Sequence, residues 1–174
     1  MGIGGQLVTI VVDVANVMGS RPDGWWRDRA GAAVRLHAEI ARLAASGRAI
    51  PPDGRGPEPG PGEPGRPGFV MVLEGAARAA AARLAPPGQA GRADGAGRAA
   101  AEPDADAGGT GPVRPGEVRV VQARGSGDDT IVAMVRELPG RRVVVTADRE
   151  LRERCLAAGA EVLGPGWLLG LLRG

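Results

Sequence analysis

Asp13, Glu74, Asp128, Asp129 and Asp148 are the residues of this chain whose placement could do chemistry. Asp13 follows the apolar, β-branched run Val8–Val12, with Asn16 three residues on. A carboxylate there costs several kcal/mol to desolvate without partners. Glu74 closes the apolar run "FVMVLEG", the Asp128–Asp129 pair opens "DDTIVAMV", and Asp148 closes "VVVTAD". Oxygen ligands without histidine or cysteine nearby suit Mg²⁺ or Mn²⁺, which keep several waters and pair with phosphate oxygens. Two such ions about 4 Å apart stabilise both the attacking and the leaving oxygen of an in-line phosphoryl displacement.

Each acid also has a plainer reading. Asp128 after "GSG" and Asp148 before "RELRER" are suited to cap helices, since a side-chain oxygen there satisfies free N–H groups. Glu74 could be a solvated strand end. Asp13 is the hardest to explain structurally, because only Asn16 stands near it in sequence.

These acids need a frame that brings them together. "QLVTIVVDV", "FVMVLEG", "EVRVVQA", "RRVVVTAD" and "AEVLGP" read as strands. The first is apolar on both faces, as expected of a parallel strand covered by helices on both sides. After a loop "ANVMGSRPDG", the segment "WWRDRAGAAVRLHAEIARLAASG" places Ala33, Leu36, Ile40 and Leu43 at helical spacing, with Gly47 as its stop. "SGDDTIVAMVREL" and "RELRERCLAAG" are further helices, and "GWLLGLLRG" is a terminal helix or tail. Alternating strands and helices predict an α/β fold, a three-layer α/β/α sandwich with a mainly parallel sheet. In such a sheet the strand carboxyl ends share one edge, where ligand crevices form. Acids distant in sequence would then converge in space.

The chain has 174 residues, room for one domain with a sizeable core. We expect a single domain over 1–174, interrupted by low-complexity stretches at 48–68 and 76–116. Twelve of the 15 prolines lie between Pro51 and Pro115; regular structure is not expected over the first stretch, and the second is expected to be disordered or loosely helical. All 22 basic residues are arginine, the net charge is +2 and the pI is near 9.8. GC-rich codon usage accounts for that composition, so arginine content alone does not signal nucleic-acid binding. Cys155 is the one cysteine, which excludes an internal disulfide and a cysteine zinc site. His37 is the one histidine, on the first long helix, and no Ser-His-Asp or Cys-His set can be built around it. The N-terminus lacks a basic region ahead of an apolar run, and "WLLGLLRG" is too short to span a bilayer. A cytoplasmic protein with no membrane association is expected.

Three segments carry a family resemblance. "VVDVANVMGS" resembles the opening strand and Asp-x-x-Asn signature of NYN domains, a branch of the PIN-like nucleases. "GSGDDTIV" and "VVVTADRELRERC" resemble two later segments of the YacP-like branch, in the same order. "GSRPDGWWRDRAG" looks like a feature of actinobacterial proteins of this type. The resemblance spans residues 7–47, 69–75 and 117–165. It implies a PIN-like (Rossmann-like) fold with an acidic, Mg²⁺- or Mn²⁺-dependent centre that cuts RNA, leaving 5′-phosphate and 3′-hydroxyl ends. Carried over by position, Asp13, Asp128 and Asp148 are the catalytic ligand core, with Asp129 adjacent. Asn16 matches the polar residue of the first loop, while Thr146 and Arg149 flank the last acid and would contact phosphate. A further acid of the family has only Glu39 or Glu74 as counterpart, neither in a convincing motif.

The function expected is therefore a metal-dependent endoribonuclease acting through the acidic cluster. Arg21, Arg27, Arg29 or Arg149 would hold the RNA backbone. Two alternatives stand beside it. One is a non-catalytic RNA- or ribosome-associated binding module. Scarcity of aromatics argues against base stacking as its main mode, with Trp25 and Trp26 read first as anchors of the helix that follows. The other is a nucleotide (NTP) pyrophosphohydrolase, for which the chain offers neither a Nudix-type glutamate helix nor a phosphate loop.

Overall fold

A computed structural model describes residues 7–49, 66–84 and 111–174. Five parallel strands form one sheet in the order β3-β2-β1-β4-β5. They are β1 (Val8–Asp13), β2 (Gly68–Leu73), β3 (Val118–Gln122), β4 (Arg141–Val145) and β5 (Glu161–Leu163). Every residue of β1 and β2 is buried, which is why neither shows a polar alternation.

Successive side chains of these strands enter opposite layers. Ile10, Val12, Phe69, Met71, Leu73, Val143 and Val145 face one core. Helices α1 (Val14–Gly19), α2 (Arg29–Ser46) and α6 (Pro165–Arg173) cover it. Val11, Val70, Val72 and Val144 face the other, under α4 (Gly127–Glu137) and α5 (Arg149–Ala157). The expected three-layer α/β/α sandwich is thus the fold observed, with β1 at its centre between β2 and β4.

α2 has the predicted spacing: Ala33, Leu36, Ile40 and Leu43 are all buried. Asp28 caps its start by accepting from the Gly31 N–H, and Gly47 closes it at φ 69°, a conformation glycine adopts without steric cost.

One expectation is corrected. The segment after Asp13 is not a loop throughout: Val14–Gly19 is helical, with Val14, Val17 and Met18 buried and Asp13 as its cap. The stretch 76–116, expected to be disordered or loosely helical, is helical where it begins. A 3-10 turn (Gly75–Ala79) leads into α3 (Ala80–Leu84), and Ala77 and Ala80 are buried against α2 and the sheet. Alanines suffice there because the elements approach closely. Further on, Val113 is buried, and a Cβ on Gly68 would lie 2.6 Å from its side chain, so β2 begins on a glycine. The rest of the proline-rich expectation, 50–65 and 85–110, lies outside the described residues. Among the described residues no helix is long and apolar enough to cross a membrane.

Candidate metal centre

The sheet order reverses between β1 and β4: β1 leads to β2 on one side, while the chain returns from β3 to place β4 on the other. Crevices of open α/β sheets form beyond the strand carboxyl ends at this point. Asp13 is the last residue of β1 and is 6 % exposed. Its carboxylate accepts from the Asn16 N–H (3.1 Å), the Asn16 Nδ2 (2.7 Å) and the Thr146 Oγ1 just past β4 (2.8 Å). Thr146 is fully buried, and its hydroxyl accepts from the Asp148 N–H (3.1 Å). A relay thus runs from the start of α5 to the end of β1. Burial pushes the Asp13 pKa up; the bonds from Thr146 and Asn16 oppose that shift, and the charge of Glu74 adds to it.

Asp128 lies in the first turn of α4. It does not cap that helix, because Ser126 does, accepting from the Asp129 N–H. Burial raises the Asp128 pKa most, followed by repulsion from Asp13, Asp148 and Glu74, with Arg154 pulling the other way. Acids 115, 54 and 20 residues away in sequence are therefore close enough to sense one another electrostatically.

Glu74 is not a solvated strand end. It is partly buried, and its Oε2 accepts from the Gly127 N–H at 2.9 Å. A Cβ on residue 127 would lie 2.5 Å from that oxygen, so glycine gives the carboxylate its place against the helix start. Asp148 does cap α5, accepting from the Leu151 N–H at 2.8 Å. Asp129 is exposed and pairs with Arg154 at 2.6 Å, linking α4 to α5.

Among the described residues no three Asp, Glu, His or Cys side chains are arranged to hold one ion together. The donor chemistry nonetheless suits a hard cation: Asp13 and Asp128 are both desolvated carboxylates that repel each other. Mg²⁺ is commonly bound through one or two carboxylates and waters rather than a full protein cage.

The expected substrate contacts are dispersed. Thr146 is enclosed behind Asp13 rather than presented at the surface. Arg21 pairs with Glu39 of α2, so the alternative acid Glu39 is engaged away from the cluster. Both line a cleft of about 310 Å³ with Leu169 and Leu172. Arg149 is exposed and pairs with Glu153 one turn on. Burial lowers the His37 pKa. Burial pushes the Cys155 thiol up to about 11, so it is not a thiolate at neutral pH. Sequence reading missed two features, the Thr146 bond to Asp13 and the seat of Glu74 on Gly127. Both join residues far apart in the chain, and "SGD" after a strand is the one trace of the second.

No family model matches the chain, and no curated protein matches it. Among solved structures, it is similar to the crystal structure of Rae1 (YacP) from Bacillus subtilis, determined as a point mutant. The TM-score is 0.54 at 12 % identity, covering 96 % of this chain and 76 % of that one. At that identity the likeness is one of fold: the chain shares with Rae1 a three-layer α/β architecture.

Proposed function

We propose that the chain is a divalent-metal-dependent endoribonuclease whose centre is the acidic cluster around Asp13. One observation carries this reading. A buried carboxylate at the sheet's reversal point sits among acids that raise the Asp128 pKa, in a protein that leaves this repulsion only partly offset. Structural acids are normally paired with cations or left in water, whereas a centre awaiting a cation carries such an excess.

Asp13 and Asp128 would hold the ion directly, with Asp148 and Glu74 at its outer side. Asn16 and Thr146 fix the Asp13 carboxylate so that it does not rotate away, the task of groups behind a ligand. Bound Mg²⁺ or Mn²⁺ supplies charge for the phosphate oxygens and acidifies water for attack on phosphorus. Exposed Arg149 would exchange its pairing with Glu153 for the RNA backbone. The partner is RNA, free or on the ribosome.

The test is manganese-dependent cleavage of single-stranded RNA, with Asp13→Asn and Asp148→Asn as controls and the ends identified chemically. Loss of cleavage in both variants, with 5′-phosphate products from the parent, is expected; undiminished activity in both rejects this centre. The engagement of Asp129 by Arg154 and of Asp148 by α5 favours a second reading, an RNA-binding module without turnover. RNA binding that survives chelation, with no cleavage at any metal concentration, would select it.

A further inference from the structure

The run Ser20–Arg29, "SRPDGWWRDR", belongs neither to the acidic cluster nor to the strands, and its two tryptophans have separate fates. Trp25 is partly buried and packs on the core beneath α1 and α2. Its ring comes within 3.8 Å of where a Cβ on Gly19 would stand, at the end of α1. Trp26 is 56 % exposed, and the other large apolar side chain so exposed among the described residues is Leu156 on α5. The two indoles meet edge to face, centroids 6.3 Å apart at 86°, so the anchored ring braces the free one.

The turn is well tied. Gly24 takes φ 74°, the Arg27 N–H donates to the Gly24 carbonyl, and the Trp25 N–H donates to Asp23. Asp23 and Asp28 both direct a carboxylate oxygen at backbone N–H groups, Asp28 at that of Gly31. Arg27 and Arg29 are exposed, Arg29 lying 5.4 Å over the Trp25 ring. The open indole is thus followed in the chain by an exposed arginine, and a second arginine stands over the ring that braces it. Between it and Asp13 lie α1, six residues and so about 9 Å long, and the turn from Ser20.

Resting on the nuclease reading above, we infer that Trp26, braced by Trp25 and with Arg27 next to it in the chain, is a stacking platform for an unpaired base of single-stranded RNA that runs to the acidic edge. A lone exposed ring on a turn that carries arginines offers no contiguous apolar patch of the kind a protein partner covers. It does match a polyanion whose bases have open faces. It serves one base beside the centre, which agrees with a chain poor in aromatics.

The test is binding of a labelled single-stranded RNA of about ten nucleotides to the full chain carrying Asp13→Asn, followed by anisotropy and tryptophan quenching. Adding Trp26→Ala should weaken binding about tenfold or more, the usual effect of removing one stacked base contact. Trp26→Phe should restore most of it, and Leu156→Ala should change nothing. A perfect duplex of the same sequence should show no dependence on Trp26. Binding by Trp26→Ala within about twofold of the parent, an equal loss on duplex, or no RNA binding at all overturns the inference. The two readings separate cleanly: wild-type cleavage with Trp26-independent binding removes the platform and keeps the nuclease. Trp26-dependent binding without cleavage keeps the platform and removes the nuclease.

Discussion

Asp13 holds a charge where the fold gives it little water. Its pKa is raised, burial being the main cause, so the folded chain keeps this proton to higher pH than the unfolded chain does. The stabilisation linked to that proton is complete below the ordinary aspartate value of about 3.9. It is lost as pH rises through the raised folded value. Asp128 shifts in the same direction and adds to the effect. At neutral pH both ionised acids therefore weigh against the fold. Asp13→Asn should unfold at higher urea than wild type at pH 7, an advantage that disappears in acid denaturation series below about pH 3.9. Mg²⁺ or Mn²⁺ should raise the wild-type midpoint by mass action and leave that of Asp13→Asn unmoved. Asp13 was legible in sequence because an acid at the end of an apolar run has few structural explanations. Thr146 was legible as a neighbour of Asp148 but not in its role. Its bond spans 133 positions, and only β1–β4 pairing brings it to Asp13.

The helix starts connect the frame to the chemistry. Asp148 is both the cap of α5 and a member of the acidic group, and one substitution can separate these duties. Asp148→Ser should retain the cap and stay within about 0.5 kcal/mol of wild type, whereas Asp148→Ala should lose about 1 kcal/mol. Both should lose cleavage equally, as read by denaturation and RNA assays on the same preparations. Glu74 depends on Gly127 in a different way. Gly127→Ala puts a methyl where the carboxylate rests, and the glutamate end, being flexible, should swing aside at little cost in stability. Glu74→Gln and Gly127→Ala should each reduce cleavage, and the double variant no further than either alone. Long elements such as α2 were readable because periodic apolar residues and a glycine stop agree on their limits. α1 was not, since its cap is itself a site residue and its loop-like neighbours Gly19, Ser20, Pro22 and Gly24 mask six helical positions. Over Gly75–Leu84 a loose helix was legible but its packing was not, because alanines that pack closely resemble alanines that do not pack.

For the whole molecule, the sandwich stands on its two wholly buried strands, β1 and β2. Phe69, second in β2 and at the end of the strand opposite the acids, is fully buried. Phe69→Ala should cost about 3–5 kcal/mol, a large part of the roughly 5–15 kcal/mol that holds a domain together. Urea titration should record that loss, while cleavage per folded molecule stays unchanged. The sheet order has one more consequence. β1 and β2 come from the first half of the described chain, but β1's other neighbour is β4, which follows β2 and β3 in the chain. Until that strand docks, Asp13 lacks the Thr146 hydroxyl, and Asp128 and Asp148 have no fixed address. A chain growing from its N-terminus therefore carries an unassembled acidic cluster until Arg141–Asp148 have emerged and docked beside β1. A chain cut ahead of Arg141 would keep Asp13 without the hydroxyl that holds it.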